Sequence, residues 1–65
     1  MQVTVNGQAE GHDAPLTVRQ LVESRGLSVR KVAVELNRRL VKSDRYDIEL
    51  KDADEVEIVT FVGGG

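Results

Sequence analysis

Glu55-Val56-Glu57-Ile58-Val59-Thr60-Phe61-Val62-Gly63-Gly64-Gly65 closes the sequence and decides how the rest is read. Residues 55–62 predict a strand, because successive side chains on extended backbone point to opposite faces. With Glu55 and Glu57 toward solvent, Val56 and Ile58 face a core, and the same alternation puts Val59 and Phe61 on the solvent face. Two large apolar side chains then lie exposed beside Val62 and the chain end, where a partner is expected to dock. A bulge within the strand is the competing reading, since it would swap the faces and bury Phe61. Gly63 to Gly65 have no Cβ and, fully extended, reach about 10 Å beyond the strand. A Gly65 carboxylate on that stalk would enter a narrow partner site. Its reference pKa of about 3.3–3.7 leaves it ionised at neutral pH, a weak but competent nucleophile toward an activated phosphate. Taken alone, a glycine run also fits a frayed end.

Composition sets limits on everything upstream. Sixty-five residues make one domain, expected over 1–62 with a flexible tail over 63–65. A chain this short buries only about 60% of its unfolded surface, so no large internal active-site cavity is expected. The absence of Cys removes disulfides and thiolate metal sites, leaving stability to local structure and a small core. Nine basic against eleven acidic residues give a net charge of -2, which argues against nucleic acid as a partner. One Tyr, one Phe and no Trp provide no base-stacking platform. Met1-Gln2-Val3-Thr4 lacks the pattern of a secretory leader, and no stretch reaches membrane-spanning length. A cytoplasmic protein with no membrane partner is the expectation.

Outward from the closing strand, the remaining elements read as follows. Met1 to Val5 alternates as a half-buried strand, Asn6-Gly7 is a hairpin turn, and a second strand returns through Gln8 to about His12. Residues Gly11 to Pro15 break the pattern. Thr17 and Gln20 fit a capping box with Leu16 and Leu21 at the staple positions, so a helix starts at Val18. It buries Val18, Leu21 and Val22 and ends near Arg25, with Gly26 in the left-handed cap and Leu27 folding back on Val22. Ser28 to Lys31 predicts a turn or a single helical turn, and Val32 to Leu36 a strand with Val32, Val34 and Leu36 on one face. Asn37-Arg38-Arg39 is a turn with positive φ expected at Asn37 or Arg38, Leu40-Val41 a short return strand, and Ser43 to Tyr46 a turn or 3₁₀ segment. Tyr46 is expected as a partly buried lid with its hydroxyl in water. This order predicts an α+β fold, a mixed sheet of four to five strands with one main helix packed on one face. The first and last strands would lie parallel at its centre.

Little in this framework offers catalysis. His12 is the only His, expected at the surface with no second ligand for a metal. Ser24, Ser28 and Ser43 have no His–acid partner at a defensible spacing. Asp52 and Asp54 lack the Gly and distal Glu of a calcium loop, so no metal site is expected. Arg30-Lys31 and Arg38-Arg39 read as solvated turn residues.

In this order, the pieces Val3-Thr-Val-Asn-Gly7, Thr17-Val18 with Leu21, Val32-Ala-Val-Glu-Leu-Asn37, Val41 with Ser43 to Tyr46, and Asp54 to Gly65 carry a resemblance across nearly the whole chain. The chain resembles the thiamine-biosynthesis sulfur carriers of the ThiS family, within the ubiquitin-like β-grasp superfamily. That resemblance implies a protein co-substrate rather than an enzyme. The Gly65 carboxylate would be adenylated with ATP by a separate E1-like adenylyltransferase, the carrier itself binding no cofactor. A persulfide sulfur from a donor enzyme would then convert it to a thiocarboxylate, which hands sulfur to thiazole synthase. Gly63 and Gly64 match the family's glycine stalk. Arg38-Arg39, where a glycine or acidic residue is common, and Tyr46, where a Trp is frequent, depart from the pattern at positions away from the tail.

Other functions share parts of this framework. A small sulfur-carrier subunit for molybdopterin synthesis has a similar fold, although such proteins are usually longer and seldom end Phe-Val-Gly-Gly-Gly. A ubiquitin-like modifier attached to lysines shares the activation step. A scaffold binding through its sheet face would leave the tail inert.

Overall fold

The computed structural model describes residues 1–61. Strands β1 (Gln2–Val5) and β2 (Gln8–Gly11) form an antiparallel hairpin. Its turn has φ of 50° at Asn6 and 84° at Gly7, the mirror-image geometry whose twist matches that of the flanking strands. Beyond β2, the His12 N–H still donates to the Met1 carbonyl at 2.8 Å, so the pairing runs one residue past the strand.

Helix α1 (Val18–Ser24) begins at the expected capping box. Thr17 Oγ1 accepts from the Gln20 N–H at 3.0 Å and Gln20 Oε1 accepts from the Thr17 N–H at 2.9 Å. At the other end Gly26, with φ of 73°, donates to Glu23 O at 2.9 Å, and Leu27 N–H reaches Val22 O at 3.4 Å. These two bonds satisfy carbonyls the helix leaves open and turn the chain back toward the sheet.

A 3₁₀ turn (Val29–Lys31) leads into β3 (Val32–Leu36). Asn37 and Arg38 both take positive φ, 52° and 71°, and reverse the chain into β4 (Arg39–Leu40). A second 3₁₀ turn (Ser43–Arg45) and an irregular stretch precede β5 (Glu55–Thr60). Five strands form one mixed sheet in the order β2-β1-β5-β3-β4. The first and last strands are parallel neighbours at its centre, paired at Thr4↔Glu55 and Val5↔Val56, as expected. Val3 and Val5 from β1, Val32 and Val34 from β3, and Val56 and Ile58 from β5 meet Val18, Leu21 and Val22 of α1 in one apolar cluster. The helix thus covers one face of the sheet and leaves the other open.

Several details differ from expectation. Tyr46 is a core residue, only 3% exposed, and its hydroxyl points at the Val32 carbonyl at 3.5 Å. The backbone explains this. Tyr46 O accepts from Arg19 N–H at 2.8 Å and Ile48 O from Val18 N–H at 3.1 Å, which ties residues 46–48 to the first turn of α1 and turns the ring inward. The return strand is shifted one residue, to Arg39–Leu40, while Val41 is buried and donates to Val34 O at 2.8 Å. Ala53 adopts φ of 73°, which nothing in its local sequence requires. The turn around it is held by Ala53 N–H to Gln2 O at 2.7 Å, Gln2 N–H to Asp52 Oδ1 at 2.7 Å and Lys51 N–H to Asp54 Oδ2 at 2.7 Å. Asp52 and Asp54 thus both accept from backbone N–H groups. His12 is half-buried, with Nε2 at 3.2 Å from Glu10 Oε1.

Candidate functional site

The candidate site is the open face of β5 where the described chain ends. Strand β5 pairs with β3 in unbroken antiparallel register from Leu36↔Val56 through Val34↔Ile58 to Val32↔Thr60. No residue is inserted, so no bulge swaps the faces. Val56 and Ile58 are accordingly 1% and 8% exposed, whereas Val59 and Phe61 are 58% and 59% exposed. The Phe61 N–H donates to Lys31 O at 2.8 Å, which carries the pairing one residue past the strand and fixes the backbone that presents the ring. Ala33, directly opposite Val59, continues the apolar surface onto β3. Thr60 has core parity yet is exposed, because it lies past the end of α1's cover. A shallow hollow of about 320 Å³ opens there, lined in part by Gly26, Leu27, Lys31, Thr60 and Phe61. Val62, Gly63, Gly64 and Gly65, the remaining expected site residues, lie outside the described residues.

The same face becomes acidic farther back along β5. Glu55 and Glu57 are exposed, and Glu35 of β3 stands opposite Glu57. Sequence reading placed Glu55 and Glu57 correctly but missed Glu35 as their neighbour. Its outward parity in β3 was readable, whereas the register that sets it against Glu57 depends on the turns between the strands.

Elsewhere the described residues offer no convincing alternative. None of their His, Asp and Glu side chains form a group of three able to hold a metal. A hollow of about 450 Å³ lies at the β4 edge under Leu36, Leu40 and Ile48 and is rimmed by Arg39, Lys42 and Arg45. It contains no nucleophile paired with a base. On the helix side of β2, Glu10 bonds to both His12 and Arg25. Burial alone would raise the Glu10 pKa, but hydrogen bonds from Arg25 and His12, together with their charges, outweigh it and hold the carboxyl below its ordinary value. This trio clamps β2 to the end of α1 and faces away from the β5 surface.

A mixed five-stranded sheet with its first and last strands central and parallel, wrapped on one helix, is the ubiquitin-like β-grasp architecture. Residues 2–65 match the family model described as the ThiS family, and the chain belongs to that family. A crystal structure of the thiamine biosynthesis protein ThiS from Geobacter metallireducens superposes with a TM-score of 0.81 at 35% identity, covering 100% of both chains. The sulfur carrier protein ThiS of Bacillus subtilis is 44% identical over 50 residues, 75% of this chain and 76% of that protein. A protein named thiazole synthase from Paramagnetospirillum magneticum is 39% identical over 66 residues, covering 100% of this chain but 20% of its own length. The chain therefore spans only one fifth of that relative. No described helix is long and apolar enough to cross a membrane.

Proposed function

We propose that this protein is a sulfur carrier of thiamine biosynthesis, a co-substrate that partner enzymes load and unload. The carrying observation is the uninterrupted β5 register, which presents Val59 and Phe61 on the open face immediately before the glycine run in a chain of the ThiS family. In this reading the apolar pair seats the carrier on an E1-like adenylyltransferase while Val62 and the Gly63-Gly64 stalk lead Gly65 inward. A carboxylate oxygen attacks the α-phosphate of ATP held by that partner and pyrophosphate leaves. The resulting acyl-adenylate has a carbonyl made electrophilic by its phosphate leaving group. The terminal sulfur of a donor persulfide displaces AMP and forms a C–S bond to Gly65, and a thiol then cleaves the donor's S–S bond, leaving a disulfide on the donor side and a thiocarboxylate at Gly65. The carrier supplies no acid, base, metal or cofactor of its own. ATP belongs to the partner, and the cycle runs in the cytoplasm.

Thiazole synthase is the proposed acceptor of the sulfur. A relative bearing that name contains a stretch similar to this chain within one longer polypeptide, as expected for two proteins that work on each other. Reconstitution tests the assignment. The carrier, the adenylyltransferase, a persulfide donor and thiazole synthase with its small-molecule substrates should together yield thiazole phosphate, and omission of the carrier should abolish it. Sulfur transfer to a molybdopterin precursor with no thiazole product would move the protein to that pathway, and isopeptide-linked conjugates would make it a modifier.

A further inference from the structure

Asn6-Gly7 forms the tip of the β1–β2 hairpin, and the proposed cycle makes no use of it. A glycine after an asparagine leaves the asparagine side chain open to attack by the next backbone nitrogen, because no Cβ stands beside that nitrogen. Gly7 is exposed with φ of 84°, and no heavy atom beyond its chain neighbours lies within 4 Å of the place a Cβ would take. Among the described residues its N–H donates to no backbone carbonyl. Asn6, by contrast, is tied to β5 three times. Its N–H donates to Val56 O at 2.9 Å, its Oδ1 accepts from Ile58 N–H at 2.7 Å, and its Nδ2 donates to Ile58 O at 3.3 Å. The carboxamide is thus held against the neighbouring strand and swings back onto the Gly7 nitrogen only when both Ile58 bonds break.

We propose that Asn6 is a deamidation site that the fold keeps closed through Ile58, and that its modification loosens β5 from β1. When the Ile58 bonds open, the Gly7 nitrogen gives its proton to solvent and attacks Asn6 Cγ. The new N–Cγ bond forms, the Cγ–Nδ2 bond breaks, and Nδ2 takes up a proton and leaves as ammonia. Water then opens the five-membered succinimide at either carbonyl, leaving aspartate or isoaspartate at position 6 with no change of oxidation state. An aspartate sets a carboxylate oxygen against the Ile58 carbonyl where an N–H donor stood, so two acceptors face each other without a proton between them. An isoaspartate adds a methylene to the main chain of a two-residue turn, which disturbs the Val5↔Gln8 pair that closes the hairpin. Asn37, the other asparagine, precedes Arg38, whose Cβ hinders the same attack. This chemistry is independent of the carrier cycle, although the strand it loosens is the one that presents Val59 and Phe61.

Incubation of the full-length protein at mildly alkaline pH, folded and in urea, tests this. Peptide mapping by mass spectrometry locates the exchange of NH for O, and isoaspartyl methyltransferase labelling detects isoaspartate. In urea Asn6 should convert and Asn37 should lag behind it. In the folded protein conversion at Asn6 should be roughly tenfold slower or more, the protection that two side-chain hydrogen bonds supply. The deamidated protein and an Asn6→Asp variant should both unfold at a lower urea midpoint than wild type. If Asn6→Asp does not fold, the midpoint of wild type deamidated in solution decides. Equal rates in the fold and in urea would show that Ile58 does not hold the site closed. Absence of conversion in urea would remove the site, and an unchanged midpoint after conversion would remove its effect on β5. Each of these three results overturns the inference and leaves the carrier function standing.

Discussion

Asn6 joins two parts of the fold that are far apart in sequence. Its Oδ1 accepts from the Ile58 N–H at 2.7 Å and its Nδ2 donates to the Ile58 carbonyl at 3.3 Å. Strand β1 turns away at Gly7 while β5 continues, so the side-chain amide takes the place of the next ladder residue and satisfies backbone groups that need partners. Asn6→Ala should therefore cost about 1–3 kcal/mol, seen as a lower urea midpoint with an unchanged slope; an unshifted midpoint would contradict this role. Asn37 acts similarly at the start of β5, accepting from Glu55 N–H at 2.9 Å and donating to Asp54 Oδ1 at 3.0 Å. Both asparagines were readable as turn residues, because their tolerance of positive φ is local. Their hold on β5 was not, since it exists only once the sheet order places β5 beside them. Glu10 is a second case. Its folded pKa is depressed, so its contribution is present above the unfolded value near 4.5 and is lost as pH falls through the lower folded value. Glu10→Gln should flatten the acid limb of a melting-temperature profile, with a cost at neutral pH of about 1 kcal/mol or less. An acid limb identical to wild type would show that the clamp with Arg25 and His12 contributes nothing.

At the scale of elements, β5 carries two duties on opposite faces. Inward, Val56 and Ile58 close the core; outward, Val59 and Phe61 are left bare. A single strand can separate these duties because its side chains alternate, and the separation survives only while the β3 register remains unbroken. Phe61→Asp should leave the circular dichroism spectrum and melting temperature close to wild type while weakening adenylyltransferase binding. Unfolding of that variant would mean the ring is core after all. The strand and helix α1 were the most legible elements, because parity, capping box and glycine cap are all encoded within a few residues. Tyr46 was the least legible. Its burial follows from hydrogen bonds between residues 46–48 and the start of α1, a tertiary docking that no local pattern announces. Ala53 was hidden for a similar reason, its positive φ being held by the bond from its N–H to Gln2 of β1.

For the whole molecule, a small mixed sheet on one helix leaves no room for an enclosed active site, and the described surface presents an apolar strand face flanked by carboxylates. In the proposed function, such a molecule works by being recognised and by presenting its glycine run to another protein's active site. The central claim is that Gly65 is the group that reacts. Intact-protein mass spectrometry after incubation with ATP, the cognate adenylyltransferase and a persulfide donor reads this directly. The account predicts that one carboxylate oxygen is replaced by sulfur, that fragmentation places the sulfur on Gly65, and that a variant lacking Gly65 gains none. An unchanged mass with a partner shown to be active, or an equal gain of sulfur without Gly65, would contradict it.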